Sequence, residues 1–341
     1  MSEGTATALR TIHVGVGGRG RWPVDLLTED ARFRPVALVD VSADALGWAR
    51  QRAGLPESAC FADAEAALRA VEADALVVCT PTRTHAAFCR LGFGAGKHVL
   101  VEKGMTLDWV EAGALVAEAE AAGVRFCVAQ NYRYTAEVRT LAAALASGRY
   151  GMPHLIDLIH HRHRPEPRTL DYPGAMVWDM ACHHFDNLVH VVGPVASATA
   201  VTHNAPWSPY RYDAGVSAVL EFAGGPVCTY LLTHQATVPD YRWLLQTERG
   251  ALRTAGGGWE WLPRGPVAQF APAGPAEPVA PAPPLRSEQG VVDDWYRYIV
   301  EGVEPGISGR RNLETLAVCE LVLRSAALGR AVVRSELDEG R

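Results

Sequence analysis

No apolar run in this 341-residue chain reaches the roughly 18 residues that a membrane-spanning helix requires, so no membrane partner is expected. Cys-x-x-Cys spacing is also missing. The seven cysteines, at 60, 79, 89, 127, 182, 228 and 319, are odd in number. A disulfide framework or zinc knuckle is therefore disfavoured, no metal is expected, and a reducing compartment fits better. Cys79 and Cys127 sit inside apolar runs and read as small core residues. There is no long Lys/Arg block. With a formal net charge of −6, the charged residues read as solvated surface rather than a nucleic-acid footprint. Met1–Arg10 is small and polar and lacks the charged-then-apolar order of a signal peptide, so a cytoplasmic location is expected. No internal repeat stands out.

What is present is a globular composition, 48% hydrophobic and 21% charged, in a chain long enough for two domains. Up to about residue 130, short apolar runs (Thr11–Val16, Pro35–Val41, Ala75–Cys79, His98–Val101, Arg125–Ala129) alternate with helix-like segments (Arg19–Leu27, Ser42–Ala53, Thr84–Ala95, Thr106–Ala122). Near-continuous apolar runs suit strands buried on both faces of a parallel sheet, and the alternation reads as βαβ units. The pattern changes after Tyr134. A helix (Thr135–Ser147) leads to a strand (His154–His161), then a helix (Val177–Val192) closed by Gly193-Pro194. Strand-like runs follow at Ala198–Thr202, Gly215–Phe222, Val227–Gln235 and Trp243–Thr247. Pro263–Pro284 reads as a surface excursion, and helices at 288–301 and 311–331 finish the chain. The fold class is α/β: an N-terminal Rossmann domain (1–133) and a C-terminal α+β domain (134–341) on an open, largely antiparallel sheet.

Gly15-Val16-Gly17-Gly18-Arg19-Gly20 matches G-x-G-x-x-G between a predicted strand and a predicted helix. Gly15 permits the tight turn, Gly17 lets backbone approach a pyrophosphate, and Gly20 lets helix and strand pack closely. Asp40 ends the second strand, 20 residues after Gly20, where a carboxylate binds adenosine ribose hydroxyls and repels a 2′-phosphate. That favours NAD over NADP. The alternative is a glycine-rich surface turn with an unrelated Asp. Glu102 and Lys103 stand at the carboxyl end of a buried strand, where open α/β sheets bind ligands. An ammonium there suits a developing alkoxide; a solvated lysine is the plainer reading.

The run from Gly96 to Lys103 (GKHVLVEK), with Cys79-Thr80-Pro81 and His85 upstream, resembles the Gfo/Idh/MocA oxidoreductases. Gln130-Asn131-Tyr132-Arg133 is similar to that family's exit from the Rossmann domain. Asp179-Met-Ala-Cys-His183-His184-Phe-Asp186 is similar to its D-x-x-x-H-x-x-D helix, and Ser308–Val333 to its closing helix. The resemblance spans about Ile12 to Val333. It departs at Gly104, where proline is usual, and at Ala181, often glycine or another small residue in the family.

The resemblance implies a nicotinamide-dependent dehydrogenase acting on the alcohol group of a sugar, cyclitol or sugar acid, hence a role in carbohydrate metabolism. Lys103, Asp179 and His183 would be catalytic. Cofactor-side positions would be Gly15, Gly17, Gly18, Arg19, Gly20, Asp40, Thr80, Pro81, His85, Glu102, Lys103 and Gln130. The resemblance also implies a homo-oligomer, dimer or tetramer, through the second domain's sheet, with the 311–331 helix packing back on the first domain.

Helical spacing supports the same site: Asp179 and His183 are four apart on one face, and a carboxylate can orient an imidazole base. His184 points about 100° from His183 on an ideal helix and reads as packing or substrate contact. In His160-His161-Arg162-His163-Arg164, residues 160, 162 and 164 share one strand face and 161 and 163 the other. One set could bind hydroxyls, a carboxylate or a phosphate; a polar strand end at a sheet edge is the alternative. His161, His163, Tyr132, Arg133, Trp178 and His184 are the candidate substrate contacts. Trp243, Trp259 and Trp261 read as core or interface residues. Two other functions fit the same fold: a nucleotide-sensing regulatory protein, and a lyase or hydrolase that retains NAD for transient oxidation.

Overall fold

A computed structural model describes residues 8–167, 171–265 and 274–337. Part of the expected surface excursion (266–273) and most of the Met1–Arg10 stretch lie outside the described residues.

The chain divides into two compact units. The first holds the described residues up to Gln130 together with Glu288–Leu313; the second holds Asn131–Ser287 and the described residues from Glu314 on. The division falls three residues before the expected one. Late in the chain, Glu288–Leu313 joins the first unit.

In the first unit the order is β1 (Leu9–Val14), α1 (Arg21–Glu29), β2 (Phe33–Val39), α2 (Ala43–Ala53), β3 (Cys60–Phe61), α3 (Ala64–Ala70), β4 (Ala75–Val78), α4 (His85–Gly94), β5 (His98–Glu102), α5 (Trp109–Ala121) and β6 (Phe126–Ala129). The strands form a parallel sheet in the order β3-β2-β1-β4-β5-β6. Every residue of β4 and β6 is buried, which explains their unbroken apolar composition. Helix starts are set by side chains that accept a first-turn N–H: Ser42 from Ala45, Asp63 from Ala66 and Asp108 from Glu111.

In the second unit come α6 (Ala136–Ala146), β7 (Pro153–His163), a π-helical turn (Met176–Ala181) running into α7 (Cys182–Val192), then β8 (Val195–His203), β9 (Gly215–Phe222), β10 (Val227–Thr233), β11 (Gln235–Thr247), β12 (Gly250–Ala255), β13 (Gly258–Pro263) and β14 (Glu277–Pro278). Helices α8 (Ser287–Glu301) and α9 (Gly309–Leu328) and the short β15 (Val332–Val333) complete the chain. The second sheet runs β14-β13-β12-β11-β7-β10-β9-β8-β15. Only the β7–β10 pair is parallel among its described pairings. β7 is therefore interior, and the His160–Arg164 run is not at a sheet edge. The excursion is also partly structured: β14 pairs with β13, and Val279 is buried.

From Glu288 onward α8 packs in the first unit, with Trp295 fully buried and stacked on Phe33 (centroids 5.6 Å, 9° between planes). In the second unit, α7 lies on the face of β7 and β10 that carries Tyr230. Phe185 meets that ring at 5.0 Å, and both are fully buried.

Candidate active site

In the first unit the candidate residues lie at the carboxyl ends of β1, β2, β4, β5 and β6. Gly15 has φ +81°, and a Cβ there would sit 2.7 Å from the Cys79 carbonyl oxygen, so only glycine turns the chain this close to β4. A Cβ on Gly20 would fall 1.8 Å from the Gly15 oxygen. Asp40 Oδ2 accepts from the backbone N–H of Val16 (2.9 Å) and Gly17 (3.1 Å), and Oδ1 from Ser42 N–H (2.9 Å). The carboxylate thus shapes the glycine loop besides standing at the expected ribose position.

Glu102 is buried at the end of β5. Its Oε1 accepts from Arg19 Nε and Nη2 (3.1 and 2.8 Å) and from Trp22 Nε1 (2.9 Å), and its Oε2 from the Lys103 N–H (3.0 Å). The carboxylate next to Lys103 therefore ties down the glycine loop and α1. The Lys103–Gly104 peptide is cis. His85 is 1% exposed and spans two backbone carbonyls, Gly104 O at Nδ1 and Thr80 O at Nε2, both 2.8 Å. Burial lowers its proton affinity, opposed by the two carbonyls. Thr80 Oγ1 accepts from Thr84 Oγ1 (2.8 Å), fixing the Thr80-Pro81 turn before α4. Glu102, His85 and Arg19 thus hold the loop in shape.

The dinucleotide expected here fits these residues. The loop's close backbone approaches need glycine, α1 opens directly behind it, and Asp40 closes its far side. Gln130, fully buried after β6, leaves both amide atoms without a hydrogen-bond partner among the described residues. Such an orphaned amide is costly in a bare protein and suits a polar ligand group.

In the second unit the catalytic candidates occupy one continuous helical stretch, but its first turn is not α-helical. Asp179 lies in the π-helical turn, where Cys182 N–H reaches back to Val177 O, and His183 follows in α7. Wide turns of this kind occur often at functional sites. The Tyr132 ring stacks on His183 (centroids 3.9 Å, 13° between planes), so its face holds the imidazole instead of standing open to substrate.

Several expected substrate contacts are placed otherwise. Arg133 is buried and pairs in bidentate fashion with fully buried Asp186 (Nε–Oδ2 2.9 Å, Nη2–Oδ1 2.5 Å), and Thr315 Oγ1 donates to the same carboxylate (3.0 Å). Trp178 is 5% exposed, a core residue. His184 is fully buried, with Nδ1 on the Tyr230 hydroxyl (2.7 Å) and Nε2 on His160 Nδ1 (3.1 Å). Burial holds His184 well below the ordinary histidine range and His160 down to about 4, so both rings are neutral near pH 7. The β7 face that meets α7 is thus the one carrying His160. His161 and His163 alternate onto the opposite face, with Asp157 and Ile159. That opposite face borders an open groove with Thr229, Leu231, Arg242 and Leu244. Sequence reasoning did not single out His160 or Tyr230; the five-residue His/Arg run was the one available signal. Trp243, Trp259 and Trp261 are all buried, as core residues.

A six-stranded parallel Rossmann sheet with a glycine loop, coupled in one chain to a mixed, mostly antiparallel sheet, defines a class of two-unit nucleotide-dependent oxidoreductases. The chain matches the family model described as "Oxidoreductase family, NAD-binding Rossmann fold" over residues 9–130 and the "GFO/IDH/MocA C-terminal domain" over 138–253. It belongs to the Gfo/Idh/MocA family, and its first unit is an NAD-binding domain. Over 332 residues it is 26% identical to D-apiose dehydrogenase of Paraburkholderia graminis, covering 89% of this chain and 84% of that protein. It is 29% identical over 230 residues to protein y4oX of Sinorhizobium fredii; that match covers 63% of each protein, under two thirds of the relative's length. Its fold is similar to that of an oxidoreductase from Agrobacterium radiobacter crystallised with NAD+, L-tartaric acid and magnesium (TM-score 0.87, 19% identity, 97% and 100% of the two chains covered).

Proposed function

We propose that this protein is an NAD-dependent dehydrogenase of a secondary alcohol on a sugar, cyclitol or sugar acid. The observation that carries the reading is Lys103. It follows directly on the buried Glu102 that anchors the glycine loop, at the carboxyl end of the strand, where open α/β sheets bind ligands and an ammonium would serve the reaction. The relative named D-apiose dehydrogenase supports a sugar-like substrate. When bound, the nicotinamide supplies a hydride acceptor. Gly15, Gly17, Gly18, Gly20, Asp40, Thr80, Pro81 and Gln130 would hold the dinucleotide, and the Asp40 carboxylate disfavours a 2′-phosphate. His183, fixed by Tyr132, takes the proton of the reacting hydroxyl; the Lys103 ammonium stabilises the alkoxide; Asp179 orients the base or holds a neighbouring hydroxyl.

Lys103→Met removes the cation and keeps the side-chain length. Its expected result is a loss of turnover of about 100-fold or more with NAD binding retained, read by NADH absorbance and by NAD titration. Ordinary turnover by the variant would remove Lys103 from the mechanism. Binding without turnover in the wild-type protein, across sugars, cyclitols and sugar acids, would move the reading to a nucleotide sensor or an enzyme of transient oxidation.

The same proposal includes self-association and location. The open face of the second sheet exposes Leu155 (39%) and Val219 (42%) around the groove at Ile159 and Leu231, an apolar surface suited to a second copy of the chain. Light scattering on the full chain decides it, a monomer being the adverse result. All seven cysteines are free, as a cytoplasmic protein requires. No helix among the described residues is long and apolar enough to cross a membrane.

A further inference from the structure

The His160–Arg164 run leaves two cations that the mechanism above does not use. In the parallel register of β7 and β10, His160 stands opposite Leu232, and Tyr230 on the same face reaches His184 of α7. Two residues further along each strand, Arg162 and His234 continue that face, and Arg164 N–H bonds to His234 O (2.9 Å). Besides burial, Arg164, Arg162 and His160 lower the proton affinity of His234, and Asp179 raises it. Two arginines and the carboxylate expected to work with His183 thus all lie within electrostatic reach of this one neutral histidine. Among the described residues, neither Arg162 nor Arg164 has a carboxylate partner, whereas arginines elsewhere in the unit, such as Arg133, Arg253 and Arg324, are paired.

His234 adds a directional clue. The Tyr210 hydroxyl donates to Arg164 O (3.0 Å), so toward His234 Nδ1 (3.2 Å) it can only accept. Nδ1 therefore carries the hydrogen. Burial holds this ring down to about 4, hence neutral, and Nε2 is left with a bare lone pair. His234 is 1% exposed, and Nε2 has no hydrogen-bond partner among the described residues. A buried acceptor near two arginines that have no carboxylate partner among the described residues matches a ligand that presents a hydroxyl next to an anion.

We infer that the substrate is a hydroxy acid, its carboxylate held by Arg162 and Arg164 and a hydroxyl donating to His234 Nε2. This rests on the dehydrogenase reading and narrows its substrate class to sugar acids. Guanidinium–carboxylate pairing is geometrically selective, and a neutral polyol cannot replace it.

The test is calorimetric binding to the full chain saturated with NAD+, using D-gluconate, D-galactonate and D-glucuronate against D-sorbitol, D-galactitol and D-glucose. The acids are expected to bind about 10- to 100-fold more tightly than their neutral counterparts. The preference should shrink with added salt and vanish in the Arg162→Gln/Arg164→Gln variant. L-lactate against propionate isolates the hydroxyl, and His234→Leu should abolish the preference for lactate while keeping propionate binding. Equal binding of acids and neutral sugars, a preference that survives the double variant, or no binding by any acid overturns the inference. NADH formation in the same samples separates the two readings. Oxidation of neutral sugars alone leaves the dehydrogenase standing without the carboxylate site. Arginine-dependent acid binding with no NADH from any compound leaves the carboxylate site standing without the dehydrogenase.

Discussion

At the scale of the residue, the most informative contact is the stack of Tyr132 on His183. An imidazole that must take a proton along one direction cannot be free to rotate, and an aromatic plane at 3.9 Å removes that freedom without occupying either ring nitrogen. Tyr132→Leu is expected to lower kcat about 10- to 100-fold with little change in KM, since geometry rather than substrate affinity is lost. Tyr132→Phe, which keeps the ring, should stay close to wild type. A Phe variant as impaired as the Leu variant would show that the hydroxyl, a substrate contact, is what matters.

At the scale of the element, α7 is held by a buried ion pair. Arg133 precedes α6, Asp186 lies on α7 and Thr315 on α9, so one carboxylate links three helical segments of the second unit. Arg133→Met would leave Asp186 charged, buried and unmatched except by a hydroxyl. The expected cost is about 3–5 kcal/mol of stability, read from the urea midpoint; the Arg133→Met/Asp186→Leu double variant should recover much of it. These elements also mark where sequence stopped being legible. The first sheet was readable because strands buried on both faces must be apolar throughout, and Ala75–Val78 and Phe126–Ala129 obey that without exception. β3, two residues long, carries too little pattern to be seen. Of β11 only Trp243–Thr247 was expected; its first half contains Val238-Pro239-Asp240 and the shift in its register with β7. β12 and β13 are six-residue strands bounded by glycine and were missed. Strand alternation separated His160 from His161 correctly, but only packing against α7 could decide which face was inside. The π-helical turn has no sequence signature, so the Asp179–His183 spacing was read as α-helical.

At the scale of the whole molecule, buried neutral histidines set the response to acid. Burial lowers His13 to about 3 and His160 and His234 to about 4, and holds His184 well below its ordinary value. Each binds a proton more readily unfolded than folded, so their contribution is complete above pH about 6.5 and is lost as pH falls toward their folded values. Stability should therefore drop between about pH 6.5 and 4, with the steepest slope near pH 5, in denaturant titrations across that range. His160→Asn should flatten the slope, and an unchanged slope would show that His160 is not among the groups responsible.

The late return of Glu288–Leu313 to the first unit has its own consequence. Trp295 covers Phe33, and Gly309 packs so tightly on Phe126 that a Cβ would lie 2.4 Å from that ring. A nascent chain emerging from the ribosome has therefore made all of its first sheet, and all of its second but the short β15, before the piece that seals the first one exists. The nucleotide-binding unit can be completed only after the polypeptide enclosed between its two parts has been synthesised, so the order of synthesis and the order of maturation run against each other.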